Sequence, residues 1–450
     1  MISRSNFVGG LLSLLLVSTG CEEQALNQRT AVPLEAPTER LTTSGPTDQL
    51  AATSTPNDRP VATSAPSTLS SKELPLRYVF SPKLASVRLS RAKKAKLLGR
   101  VLAGARLPVY EEQAEKGSGC KGLWLRIQYN GWICGDKLLP ATEGEETEQH
   151  YENRFPMQEA TVLQDTPTYA QPETESTGTE LAGSVVKVIR VFELNGKTYA
   201  QLTADAFVSA EALQYHGRGK NSLLQGTHFD GVTRPPFVFF VAKKTPLFVE
   251  AGPTKGQEAT GHQARYDGAE ILESANIKGK LYLRVAGGWF KKKGVAIVSE
   301  EKRPAKIPED GHWVLIDLSE RTLSAYEGDK LVFATLVSPG REGHNGAFRT
   351  VKGTFRIQSK SRYTTMRGSP FGKHYEVKDV PWTQYFYRGY GLHGTFWHDR
   401  FGATASHGCV NLSAQDAKFL SDFLAPALPP GWLALYPPAK MDTSMIVVRK

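Results

Sequence analysis

The stretch HWVLIDLSERTLSAYEGDKLVFATLVSPG, residues 312–340, alternates apolar and polar side chains with a period of two. That period belongs to a strand with one face in a core. Val314–Leu318 reads as a strand, Ser319–Thr322 as a turn, and Leu323–Glu327 as the returning strand. Gly328-Asp329 turns the chain again into a third strand, Lys330–Ser338. Lys352–Ile357, Trp432–Tyr436 and Ser444–Arg449 continue the strand-like pattern toward the C-terminus. A helix is expected over Ser413–Phe423. Ser413 suits its N-cap, Asp416 its third position, and Ala417, Leu420 and Leu424 share a face. The expectation is a β-rich domain over 308–450 with one main helix.

Within this domain lies Ser406-His407-Gly408-Cys409-Val410-Asn411-Leu412, with His393-Gly394-Thr395 sixteen positions upstream of the cysteine. A cysteine acts as a nucleophile through its thiolate, and its ordinary pKa is about 8.5, so it needs a base nearby. His393 and His407 are the candidates. A residue two before Cys409 lies along the same strand, awkwardly placed to take the thiol proton. Tyr390–Thr395 can lie alongside and turn the His393 ring toward the sulfur, so His393 is assigned as base and His407 to the scaffold or substrate pocket. The backbone amides of Gly408 and Cys409 suit an oxyanion hole. The Gly394 carbonyl is expected to hold the imidazole, and Asn411 to brace the turn. Zinc is the competing chemistry, through His393, His398, His407 and Cys409, but the spacings match no zinc pattern. No metal and no cofactor are expected.

These residues resemble the L,D-transpeptidase catalytic domain of the YkuD family, over about 310–450. Lys352-Gly353-Thr354-Phe355, Asp379-Val380-Pro381-Trp382 and Tyr385-Phe386 stand in the family's order. Val351 departs from it, where proline is usual. The resemblance implies Cys409 as nucleophile, His393 as base and the Gly394 carbonyl as its partner. It implies a substrate pocket including Ser406, His407, Asn411, Tyr385 and Arg349. It implies attack on a peptidoglycan stem peptide, departure of a terminal D-Ala, and capture of the thioester by a neighbouring stem amine to give a 3-3 cross-link. Carboxypeptidase, endopeptidase or lipoprotein-ligating activity would use the same site with another acceptor. A wall-binding anchor with a dead domain is the reading of another class. Arg349, Lys352, Arg362, Arg367 and Lys373 form a basic set, either a receptor for stem carboxylates or a solvated face.

The preceding chain is read as the means of delivering this site. Residues 1–20 have the form of a signal peptide with a short apolar core, Phe7–Val17. Cys21 after Ser18-Thr19-Gly20 resembles a lipobox cysteine, although Ser18 replaces the preferred Leu; an ordinary cleaved signal is the alternative. Residues 21–76, rich in Thr, Ser, Pro and Ala, are expected to be a disordered tether anchored to a membrane by lipid. Its mean span would be roughly 40 Å.

Three small β-barrels in tandem are expected over 77–141, 157–215 and 236–302, on repeated strand–turn–strand patterns. The first resembles bacterial Src-homology-3-like barrels. They would bind wall components or serve as spacers. Asn130-Gly131 and Asn195-Gly196 read as hairpin turns. Cys120 and Cys134 are a plausible disulfide in an oxidising compartment, although a turn centred on Asn130-Gly131 sets Cys134 opposite Gln128 or Ile127. The net charge of +10 fits attraction to an anionic polymer or plain solubility. No basic helix or RNA-binding strand pattern appears, so no nucleic acid is expected. The whole reads as an exported, periplasmic protein facing the cell wall.

Overall fold

The alternation at 312–340 becomes three consecutive antiparallel strands, β1 (His312–Asp317), β2 (Thr322–Glu327) and β3 (Lys330–Leu336). The computed structural model describes residues 74–450 except 113–117, 143–157, 204–205, 216–225, 232, 344–345 and 370–373. The expected signal peptide, Cys21, nearly all of the tether and Lys373 lie outside the described residues. Among the described residues no helix is long and apolar enough to cross a membrane.

The remaining C-terminal elements, numbered on from β3, are β4 (Gly353–Arg356), β5 (Ser359–Gly368), β6 (Tyr375–Tyr387), β7 (Tyr390–Gly394), β8 (Val410–Leu412), α1 (Ala414–Phe423), β9 (Trp432–Leu435) and β10 (Met445–Arg449). They form two sheets. One runs β3-β2-β1-β10-β4, with β10 parallel to β1; the other begins β8-β7-β6-β5-β9. The core between them takes Val314, Ile316, Leu323 and Ala325 from the first sheet, Leu392, Val410 and Leu412 from the second, and Ala417 and Leu420 from α1. The helix starts as expected: Ser413 Oγ accepts from the Asp416 N–H at 3.1 Å. The Asp416 carboxylate is buried. It accepts from Thr335 Oγ1 at 2.6 Å and Gly226 N–H at 2.9 Å, and burial raises its pKa to about 6.

The β5–β6 hairpin, thirteen residues long on its second strand, lacks a simple alternation. Its pairing shifts register between Thr364 and Met366, and Asp379 and Trp382 take positive φ. Such irregularity hides a strand from a period-two reading.

The three N-terminal units share one pairing scheme. In each, the first strand pairs with the fourth and the last: 77–81 with 105–109 and 139–141, 158–162 with 185–188 and 213–215, and 237–240 with 268–270 and 295–298. The second strand pairs with the third in each as well. The protein is therefore mainly β, with one α-helix among the described residues.

The expected boundaries are crossed in two places. The sheet ending in β9 continues into the first unit, because Leu97–Val101 pairs with Trp432–Leu435. The stretch between the second and third expected barrels contributes Thr227–His228, which pairs with β3 at the sheet edge. His228 lies between the rings of Phe333 and Phe419, at 5.0 and 4.9 Å.

The third unit explains its unbroken run Phe237–Phe240. Phe237 and Phe239 pack with Trp313, Leu315 and Tyr326 of the C-terminal domain, while Val238 and Phe240 fill the unit's own interior. A strand buried on both faces loses its alternation.

The turn in the first unit also differs from expectation. A 3-10 turn spans Gln128–Asn130, and the second strand starts at Gly131. Cys134 therefore stands opposite Trp124, close enough for the chain at Cys120 to fold back. The two cysteines are bonded, with Cα atoms 5.6 Å apart.

Candidate active site

β7 and β8 are adjacent and parallel, with Leu392 level with Val410 and His393 level with Asn411. Cys409, just before β8, thus comes beside the strand that carries His393. The loop leading to it is stitched to the chain after β3. Ala405 N–H donates to Pro339 O at 3.0 Å, Arg341 N–H to Ser406 O at 3.1 Å, and Ser338 and Asn411 exchange backbone bonds at 2.9 and 3.0 Å. Thr350 Oγ1 accepts from Gly340 N–H at 2.9 Å and donates to Gly408 O at 2.8 Å. Gly340 and Thr350 escaped the sequence reading; the Ser338-Pro339-Gly340 turn was the available signal.

Gly408 has φ +129°, and a Cβ there would meet the Tyr390 ring at 2.7 Å. Only glycine holds this position without strain. Its N–H is directed at Ser406 Oγ, 3.0 Å away, and the same hydroxyl donates to Cys409 O. The Gly408 N–H, expected with that of Cys409 in an oxyanion hole, is thus engaged by Ser406 Oγ inside the loop. Ser406 braces the loop that carries Cys409.

His393 is buried, and its Nδ1 lies 3.0 Å from Gly394 O. A carbonyl only accepts, so Nδ1 carries the proton and Nε2 is the basic nitrogen. Burial lowers the His393 pKa to about 4, against a smaller opposing effect of the Gly394 carbonyl. Gly394 has no room for a side chain, since a Cβ would meet Pro381 at 2.8 Å and Ala414 at 3.0 Å. Burial pushes the Cys409 thiol up, while the Gly391 N–H directed at the sulfur works the other way. The thiol donates to Gly389 O at 3.5 Å. Both shifts favour a resting pair of neutral thiol and neutral imidazole.

The other expected residues divide. Asn411 pairs its amide with His398 Nε2 at 2.8 Å, and His398 Nδ1 accepts from Arg400 N–H at 3.1 Å. His407 is exposed on the cleft rim; its ring stacks on Tyr375 at 5.6 Å and its Nε2 accepts from Arg341 at 2.7 Å. Tyr385 is held protonated, its pKa raised to about 12 by burial and then by the charge of a Cys409 thiolate.

Arg349 is not drawn into the cleft; it is exposed and ion-paired with Glu342 at 2.5 Å. The basic set disperses likewise. Arg367 pairs with Glu376 at 2.6 Å, and Arg362 is buried against Trp432 O at 2.9 Å and Pro429 O at 3.1 Å. A buried guanidinium that holds backbone carbonyls is a structural element.

His393 and Cys409 line one cleft of about 430 Å³. The sequence reading missed part of its wall: Met366, Tyr375 and Val377 from the β5–β6 hairpin, Arg388 from the turn before β7, and Trp397. Trp397 stacks on His393 at 5.9 Å.

Residues 311–433 match the YkuD family, the L,D-transpeptidase catalytic domain. Among solved structures, the chain is similar to an L,D-transpeptidase from Stackebrandtia nassauensis, with 26% identity, 32% of this chain and 58% of that chain covered, and a TM-score of 0.23. The L,D-transpeptidase from Mycobacterium smegmatis is 19% identical over 38% of this chain and 67% of that one, with a TM-score of 0.25. The catalytic domain of the E. faecium L,D-transpeptidase is 21% identical, covering 32% of this chain and 98% of that one, with a TM-score of 0.24. The chain spans a little over half the length of the first of these. No curated protein matches it.

Proposed function

We propose that this chain is a peptidoglycan L,D-transpeptidase that forms 3-3 cross-links through an acyl-thioester on Cys409. The observation that carries the reading is the orientation of His393, whose Nδ1 is tied to Gly394 O while the ring shares a cleft with the one free cysteine among the described residues. Nε2 takes the thiol proton as sulfur attacks the carbonyl of the diamino acid in a tetrapeptide stem. The oxyanion is received by the Cys409 N–H. His393 then protonates the leaving amine of D-Ala, and the thioester remains. A neighbouring stem amine attacks it, gives its proton to Nε2, and expels the thiolate, which His393 reprotonates. The match at 311–433 supports this reaction class. Export to the wall, with Cys21 as lipid anchor, completes the reading.

The test is muropeptide analysis of tetrapeptide-rich sacculi treated with wild type and Cys409→Ala. Loss of D-Ala with new dimers is the expected wild-type result, absent in the variant. Loss of D-Ala without dimers would mean a carboxypeptidase, and no change with wild type would remove the enzyme reading.

The acid limb of activity follows from His393. A base must be neutral, and burial keeps this one neutral down to about pH 4. The kcat/KM profile is expected to stay level as pH falls through 6.5 and to drop only near 4. A drop centred at about 6.5, the ordinary histidine value, would contradict a buried neutral His393.

A further inference from the structure

The turn Arg388-Gly389 joins β6 to β7, with Tyr387 paired to Tyr390. Both turn residues are left-handed, with φ 40° at Arg388 and 90° at Gly389. A two-residue hairpin turn of this hand favours Asn-Gly or Asp-Gly, and an arginine at its first position is strained. The turn touches the nucleophile, because Gly389 O accepts the Cys409 thiol at 3.5 Å. Arg388 lines the cleft, with its guanidinium 5.4 Å from the centre of the Tyr387 ring.

The rim cation Arg341 is occupied by His407, its guanidinium bonded to Nε2 at 2.7 Å. Arg349 and Arg367, off the cleft, are neutralised by Glu342 and Glu376. Among the described residues Arg388 has no ion pair, and no acidic residue lines the cleft. A strained position held by a long cation beside a nucleophile is a place where strain serves binding.

We propose that Arg388 is a specificity-determining residue that receives a free carboxylate of the stem peptide beside Cys409. This rests on the function proposed above. The carboxylate belongs either to the terminal D-amino acid or to the side chain of the diamino acid, and guanidinium chemistry suits both.

The experiment measures kcat/KM of the full chain on soluble tetrapeptide donors with both carboxylates free, with the terminal one amidated, or with the side-chain one amidated. Wild type, Arg388→Asn and Arg388→Lys are compared, together with their Tm. Arg388→Asn is expected to raise Tm, because asparagine relieves the turn, and to lower kcat/KM on the free donor about tenfold to a hundredfold, chiefly through KM. Wild type is expected to discriminate against one amidated donor by a similar factor, and Arg388→Asn to lose that discrimination. The sensitive amide names the carboxylate. Arg388→Lys should retain part of the preference. If wild type turns over the donors and Arg388→Asn keeps the same discrimination, the assignment of Arg388 is overturned while the proposed function stands. No turnover of any donor by wild type would overturn both.

Discussion

The first and second N-terminal units have the same strand pairing and opposite relations to the catalytic domain. The first is continuous with it. Gly99 to Val101 pair with β9, and Trp432 and Leu435 belong to the first unit's buried cluster beside Val87, Leu98 and Ile133. Trp432 Nε1 donates to Gln128 Oε1 at 3.3 Å, and Tyr129 OH donates to Ala427 O at 2.7 Å. The second unit draws its buried cluster wholly from its own residues, between Ala160 and Tyr215. It meets the catalytic domain through polar contacts: Glu159 N–H to Phe396 O at 3.1 Å, and Lys187 to Asp379 at 3.4 Å. One topology can thus be either part of a larger core or an appendage, according to whether an apolar side chain crosses the boundary.

The largest effect should come from breaking the shared core. Trp432→Ala removes a fully buried indole and should cost about 3–5 kcal/mol. Hydrogen exchange should rise together in 97–101 and in β9, since both lose the same ring. Protection that changes in β9 alone would mean that the first unit folds independently.

Lys360 is the next lever. It is fully buried, and its Nζ donates to the carbonyls of Ser421, Leu424 at 2.6 Å and Pro426 at 3.0 Å at the end of α1. Burial lowers its pKa to about 7, and the negative end of the helix favours keeping the charge. Lys360→Met should cost about 2–3 kcal/mol by urea denaturation, because the carbonyls lose their donor. A loss under 0.5 kcal/mol would show that water replaces the ammonium.

The smallest effect belongs to the second unit. Lys187 and Asp379 are both substantially exposed, and an exposed pair is worth about 0.5 kcal/mol. Lys187→Ala should leave urea stability within that range and leave wall turnover unchanged. A change of several-fold in turnover would mean that the second unit positions the Phe396–Trp397 segment beside the cleft.

The local rules carried much of the reading. Strand-like runs bounded by the turns at Ser319–Thr322 and Gly328-Asp329 located β1, β2 and β3, and Ser413 with Asp416 located α1, because these signals depend on near neighbours. The β5–β6 hairpin was lost, because its bulged strands interrupt the period. At the site, the motif led to His393, Cys409 and the Gly394 carbonyl. It left the basic set open between a carboxylate receptor and a solvated face, because a positive charge in a sequence does not say whether a glutamate, as at Arg349, or a backbone carbonyl, as at Arg362, will take it.

By itself, the sequence determined that the chain is mainly β, that it repeats a small strand pattern, and that one cysteine stands among histidines and glycines. The tertiary structure decided which amide of the nucleophile loop was already used, which arginine reached the cleft, and which repeat shared a core with the catalytic domain. The physical reason is range. Periodicity, caps and turns are set by residues a few positions apart, whereas hydrogen-bond partners and shared cores join residues as distant as Gln128 and Trp432.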